Sequence, residues 1–424
     1  MTDTSLPMTA SNRRVPWAAI VIAIGLVTGF ATMVLGARSV DVNADPYRYG
    51  AMASSLLRGE GFPHQEIQRR GPMYSFLIAG IYLVFGEHEW AVHLVQVLLF
   101  AATVWLVFDL GRRLFNVRTG IIAGVITAIH PLFLRYVSSL HLETFLTFLF
   151  TLMVWFTVRF RARPSLGNGV AIGLTAGLAS LVKAIGLLYP GLFALGLFIE
   201  AWKARGRTGR LVYPWVPVAA TFLVMAAVIA PWTIRNYKVM GHFVPVSTGT
   251  GDAILRSYIF SRTEYITLRE PPYTGAENAS NDLFRSLARE AGTEWQKDDW
   301  ETEQFTNKAA KKKMLAEPGA FVKKTVIGLF TFWYQMTSLK NSLVVGVAAL
   351  GAWIFALIGW RQARKGGIKV WPLLLPAIYL NILLALLLAL GRYSAPVLPG
   401  VLVVAAYGLD TILARRRPTR AVVP

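Results

Sequence analysis

Apolar residues along this chain fall in long runs, not in the three-to-four spacing of a soluble amphipathic helix. Runs at 15–37, 90–110, 119–135, 142–158, 168–183, 184–200, 214–232, 341–360, 370–390 and 393–413 carry few charges. Their lengths, near twenty residues, suit a helix crossing a hydrocarbon core about 30 Å thick. The pattern predicts an all-α polytopic membrane protein with about ten transmembrane helices. Two further apolar pieces, at 71–85 and 321–336, are shorter than a span requires and are predicted as interfacial or re-entrant helices on the outer face.

Composition agrees, with 54% hydrophobic and only 16% charged residues among 424. The net charge of +20 would suit a nucleic-acid partner if it were spread over a soluble surface, but its distribution excludes that class. Basic clusters stand beside the spans at 13–14, 111–118, 159–163, 203–210, 361–369 and 415–420, and none of them contains an acid. Cations concentrated at alternate ends of spans follow the positive-inside rule, which puts all six clusters in the cytoplasm. Ten crossings then return the chain to the side where it began. The run Val15–Ala37 is longer than a signal-peptide core and reads as a retained first span. Cysteine is absent, which is compatible with exported loops.

This topology divides the chain into an N-terminal membrane module (1–232) with a large first external loop (38–89), an external region with an interfacial helix (233–340), and C-terminal membrane helices (341–424). The middle region opens with "APWTIRNYKVMGHFVPVSTGTGD", rich in Gly, Pro and β-branched residues. It continues as a charged stretch with helical spacing that should break at Pro318-Gly319. No internal repeat is evident.

Most acids beyond Asp252 read as solvated surface. Three are better placed for chemistry. Asp41 and Asp45 lie just past the outer end of the first span, and Glu143 begins the fourth, in "SSLHLETF". Ionisable groups at the rim of a helix bundle are functional candidates. Lys183, in "LASLVKAIGLLYP", and Arg392, in "LALGRYSAPVLPG", stand between apolar runs with no acid nearby in sequence. Each needs an anion at a span end, and a lipid phosphate supplies one. "DVNAD" is not a D-x-D, and the histidines have no H-E-x-x-H spacing. His141 and Glu143, two positions apart, would point apart on a helix. The residues favour metal independence, with a divalent cation as the alternative.

The run "DPYRYGAMASSLLRGEGF", followed by "RRGPMYSFLIAGIYLVFGEHEW", "HPLFLRYVSSLHLE", "GLASLVKAIGLLYP", "APWTIRNYKVMGHFVPVSTGTG" and "RYSAPVLP", resembles GT-C type glycosyltransferases. The resemblance is to the superfamily of protein-O-mannosyltransferases and lipid A aminoarabinose or galacturonic acid transferases. It extends over most of the membrane region and leaves the charged part of 250–320 unmatched.

The resemblance implies a GT-C type transferase core that takes a sugar from a polyprenyl phosphate carrier on the extracytoplasmic side of a bacterial-type inner membrane. Asp45 looks like the family's catalytic Asp, with Asp41 the second choice. Glu143 matches the second acidic position, and Lys183 resembles the lysine that meets the carrier phosphate. Arg70 and Tyr74 match an "RPPLY"-like start of a surface helix, although Gly71 replaces the usual Pro and should leave that start looser. Such a site needs a base for the acceptor hydroxyl and cations for the departing phosphate. One base with a cationic clamp implies inversion, because a retaining route would ask for a second carboxylate close by. Membrane lipids and an acceptor glycan, lipid or protein are the expected partners, with no nucleic acid. A polytopic secondary transporter is the alternative, although transporters usually show inverted repeats and midplane charges.

Overall fold

The structure, a computed structural model, describes residues 16–35, 45–62, 70–208, 212–261, 274–295, 299–336 and 338–415. Every regular element among them is helical. The first half runs α1 (Trp17–Leu35), α2 (Asp45–Leu57), α3 (Met73–Phe85), α4 (Glu89–Leu114), α5 (Val117–Ile129), α6 (Pro131–Val137), α7 (Glu143–Ala162), α8 (Leu166–Val182), α9 (Tyr189–Thr208) and α10 (Trp215–Met240). A helical cluster follows, made of α11 (Thr250–Phe260), α12 (Thr274–Glu290) and α13 (Asp299–Ala316). The chain closes with α14 (Pro318–Tyr334), α15 (Leu339–Lys365), α16 (Trp371–Leu386) and α17 (Leu398–Arg415).

Among the described residues seven helices have the length and apolarity to cross a membrane: α1, α4, α7, α9 with the turn before it, α10, α15 and α17. The predicted span at 119–135 is bent by 53° between α5 and α6. Pro131 opens α6, and the His130 imidazole caps it by accepting the Leu132 N–H. Proline removes a helical donor and His130 supplies an acceptor for the new N-terminus, so the break is written into "IHP". α8 and α16 are apolar but shorter, as is α3. The expected helix break at Pro318 is present, with Pro318 in the first turn of α14.

Where helices must approach closely, the contact is made by small residues. Gly169, Gly173 and Gly177 line one face of α8 against α10; a Cβ at Gly169 would stand 2.2 Å from the Pro217 carbonyl oxygen and one at Gly173 2.5 Å from that of Thr221. Gly359 on α15 and Gly408 on α17 interlock in the same way. In lipid, where apolar burial gives little drive for association, such backbone proximity is what holds spans together.

One end of the bundle collects the basic clusters at 111–118, 159–163 and 361–369; those at 13–14 and, past Arg415, at 416–420 lie outside the described residues. Asp109 pairs with Arg112 and Arg113 and accepts the Trp155 indole N–H at 2.8 Å. Asp410 meets Arg118 at 3.0 Å, and Glu200 holds both Arg161 (2.8 Å) and Lys369 (2.7 Å). Clusters distant in sequence thus share one face, as the charge pattern predicts.

At the opposite end the start of α3 lies against the end of α8. Gly71 is buried there, and a Cβ on it would sit 2.1 Å from the Leu181 carbonyl oxygen and 2.7 Å from that of Val182. The expectation of a loose helix start is therefore reversed: glycine is required because no side chain fits. Gly71→Ala should cost about 1–3 kcal/mol through overpacking against backbone, read as a lower thermal unfolding midpoint. Gly80→Ala, within α3 itself and with nothing within 4 Å of its added Cβ, should be neutral or stabilising.

Candidate active site

The candidate site residues gather at the other end, where helices break. α8 stops at Val182, Lys183 takes an extended conformation (φ −154°, ψ 130°), and a 3-10 turn over Ala184–Gly186 leads into α9. α16 stops at Leu386, and Arg392 lies in a second 3-10 turn, Gly391–Ser394, before α17. Glu143 is the first residue of α7, just after the turn that ends α6. Gln96 of α4 donates to the Ser139 carbonyl at 2.8 Å and fixes that turn. His141 lies in the same turn, ahead of the helix, with Nδ1 3.0 Å from the Ser139 hydroxyl. The helical argument that separates it from Glu143 does not apply.

These three breaks converge. The Arg392 Nε is 3.7 Å from the Glu143 carboxylate. Arg392 also donates to the Tyr393 hydroxyl at 3.2 Å, and its guanidinium carbon is 5.0 Å from that ring's centroid. The Lys183 ammonium sits 3.4 Å from the centroid of the same ring. Tyr393 thus takes a cation–π contact from each of two cations. Sequence reasoning missed Tyr393, although its place beside Arg392 in "GRYSAP" was the available signal.

Glu143 is 4% exposed, and one of its oxygens has no hydrogen-bond partner among the described residues. A void of about 10 Å³ behind it is bordered by Tyr136, Thr144, Thr147 and Ala395, room for about one water molecule. The carboxylate is therefore backed by packed side chains.

The first-loop residues complete the cluster. The Tyr74 ring is fully buried and meets Tyr49 of α2 edge-on, with centroids 5.1 Å apart. The Arg70 guanidinium carbon lies 5.6 Å from the Tyr49 ring. Burial, reinforced by the Glu143 carboxylate, pushes the Tyr74 hydroxyl well above the ordinary phenol range, so it stays a neutral donor. Its oxygen too has no partner among the described residues. Asp45 opens α2, one turn before Tyr49; its side chain lies outside the described part of the structure, and Asp41 lies outside the described residues.

The loop between α2 and α3 is fixed by its own chemistry. In "LLRGEGF", Gly59 and Gly61 adopt φ of 74° and 73°, a left-handed conformation glycine allows without a Cβ penalty. Phe62 then packs against Trp232 of α10, with ring centroids 5.1 Å apart. The "PWTIRN" segment is a clasp: Trp232 donates to the Val246 carbonyl at 2.9 Å, Thr233 to that of Pro245 at 2.9 Å and Asn236 to that of Val244 at 3.0 Å. Among the described residues no group of three or more His, Asp or Glu side chains is placed to hold a metal.

Residues 69–232 match the family model described as dolichyl-phosphate-mannose-protein mannosyltransferase. No curated protein matches the sequence. The archaeal oligosaccharyltransferase AglB from Archaeoglobus fulgidus, solved with an inhibitory peptide and a dolichol-phosphate, is similar at 15% identity and a TM-score of 0.59, covering 94% of this chain and 51% of AglB. The same enzyme tethered to an acceptor peptide gives 15% identity and a TM-score of 0.58 over 94% and 50% of the two chains. ArnT from Cupriavidus metallidurans bound to undecaprenyl phosphate has 16% identity and a TM-score of 0.44, with 93% of this chain and 77% of ArnT covered. This chain spans about half the length of AglB. It is a multi-pass membrane protein whose fold is similar to that of AglB, and its residues 69–232 match the mannosyltransferase family model.

Proposed function

We propose that the protein is an integral membrane glycosyltransferase that moves a sugar from a polyprenyl phosphate carrier to an acceptor hydroxyl on the extracytoplasmic side. The observation that carries this reading is the convergence of Glu143, Arg392, Tyr393 and Lys183 from separate helix breaks at one end of the bundle. The dolichol-phosphate in the AglB structure and the mannosyltransferase family match support a lipid-phosphate donor.

In this reading the carrier phosphate approaches Lys183, whose ammonium rests on Tyr393. A cation held on an aromatic face keeps its charge and can move to a stronger anion. Arg392 contacts both the Tyr393 ring that holds Lys183 and the Glu143 carboxylate, so it can answer charge on either side. Asp45, with Asp41 the second choice, takes the proton of the acceptor hydroxyl as that oxygen bonds to the anomeric carbon. The bond from the anomeric carbon to the phosphate oxygen breaks at the same time, and the phosphate leaves with the electron pair. Lys183 and Arg392 neutralise the charge that grows there. A single displacement inverts the sugar carbon. Arg70 and the neutral Tyr74 hydroxyl stand where they can orient polar groups of donor or acceptor, and no metal is required.

Incubation of the purified protein with a panel of radiolabelled polyprenyl phosphate sugars tests the reaction class, and consumption of none would overturn it. Uptake into reconstituted vesicles without lipid-linked sugar would instead favour a transporter. Asp45→Asn should lower kcat by a factor of about 100 or more, in line with loss of a general base, while donor binding is retained; unchanged turnover would remove Asp45 from the mechanism. Lys183→Ala should act mainly on the donor, raising its KM about tenfold, as expected for an interaction worth roughly 1.4 kcal/mol. A change in kcat alone would count against that assignment.

A further inference from the structure

The segment "GAFVKKTVIG" carries two adjacent lysines. Lys323 is exposed, but Lys324 is 3% exposed. Its ammonium donates to the carbonyl oxygens of Ala385 at 3.2 Å and Leu387 at 3.4 Å, and to that of Leu386. Its other flank lies 4.5 Å from the centroid of the Phe321 ring. Among the described residues no carboxylate contacts it. Burying a lysine without a counter-anion is costly unless its protons are all engaged.

What engages them is the end of a helix. α16 terminates at Leu386, and the last carbonyls of a helix have no intrahelical donor and carry the negative end of its dipole. Lys324 satisfies three of these groups at once. It can reach them because α14 and α16 touch one turn further on, where a Cβ on Gly328 would stand 2.9 Å from the Ala385 Cα.

The connector from Leu387 to Gly391 leads directly to Arg392 and has no slack. Leu388 and Leu390 pack against Ile259 and Phe260 of α11 and Ala276 of α12. The Gly391 N–H donates to the Gln335 carbonyl at 2.7 Å, and a Cβ on Gly391 would stand 2.8 Å from that oxygen. Both ends of the connector are therefore pinned to α14, by Lys324 at one end and Gln335 at the other. Proline does not occur between 377 and 395, so nothing covalent stops α16 from continuing. Rewinding Leu387–Leu390 would shorten the connector by roughly 7 Å, since a helix rises about 1.5 Å per residue and an extended chain about 3.3 Å.

We propose that Lys324 is a positioning residue: by capping α16 at Leu386 it keeps the connector unwound and sets where Arg392 stands relative to Glu143 and Lys183. The inference rests on the reading of Arg392 as part of the donor-phosphate site.

A double-mutant cycle on the full chain in detergent tests it, with binding of radiolabelled undecaprenyl phosphate as the readout and thermal unfolding as the check on folding. Lys324→Met and Arg392→Gln should each weaken binding about tenfold. The double variant should bind within about twofold of Arg392→Gln alone, because a residue that acts through Arg392 has nothing left to position. Lys324→Gln, which keeps donors without charge, should recover part of the loss, and it replaces Lys324→Met in the cycle if that variant does not fold. Multiplicative losses in the double variant, about a hundredfold, would reduce Lys324 to general stability and overturn the positioning role. Unchanged binding in Lys324→Met would do the same. Failure of the unmutated protein to bind the probe, or indifference to Arg392→Gln, would instead overturn the donor reading, and the positioning role with it.

Discussion

Backbone that leaves the helix inside a packed bundle must find its hydrogen bonds within the protein, and that constraint shapes the whole candidate site. Each break is satisfied by a named group. The Tyr379 hydroxyl donates to the Ile185 carbonyl at 2.7 Å in the α8–α9 break. Gln96 holds the turn before α7. Lys324 and Gln335 hold the connector after α16. Fixing the backbone in this way gives Lys183, Glu143 and Arg392 rigid mounts, which a charged clamp needs if it is to favour a transition state over solvent-like rearrangement.

The two ends of the bundle treat their charges differently. At the basic end, Asp109, Glu200 and Asp410 each meet at least one arginine at ion-pair distance, which is how a helix bundle keeps ionised groups at low cost. At the other end, among the described residues, Glu143 meets a single cation at ion-pair distance, Arg392 at 3.7 Å, and its second oxygen has no partner. Tyr74 is buried in the same condition. Buried polar atoms without partners are uncommon in folded proteins; in the proposed reaction these two, beside a cationic pair, would meet hydroxyls and phosphate of the substrate.

Much of this was legible in the sequence because the signals are local. Apolar runs predict the spans, and charges interrupting them at Lys183 and Arg392 mark the breaks. The turn chemistry of "LLRGEGF" can be read from a few neighbouring residues, whereas the break at "IHP" goes unread and 119–135 is predicted as one span. What was hidden depends on contacts between distant segments. Gly71 reads as a loosened helix start until Leu181 and Val182 are seen against it. Lys324 looks like one of several surface lysines until the end of α16, some sixty residues later in the chain, is placed over it. The pairing of Glu143 with Arg392 spans an even longer interval. No periodicity reports such a distance, and a helix such as α14, whose apolar run is short, gives weak hydropathy signal for the residues it buries.

The charged helices between α10 and α14, which the sequence resemblance leaves unmatched, are not an appendage. Ile259, Phe260 and Ala276 pack on Leu388 and Leu390, so α11 and α12 form one wall of the connector that carries Arg392. Glu303 of α13 accepts the Gly249 N–H at 2.7 Å, tying the same cluster to the clasp that Trp232 and Asn236 make with Val244 and Val246. That clasp in turn packs on Phe62, at the end of the loop that α2 begins. Segments from the first loop, the middle region and the last helices are thus joined in one continuous set of contacts around the cations. A substitution in this cluster is therefore expected to be felt at Arg392 through packing, without any direct contact with a substrate.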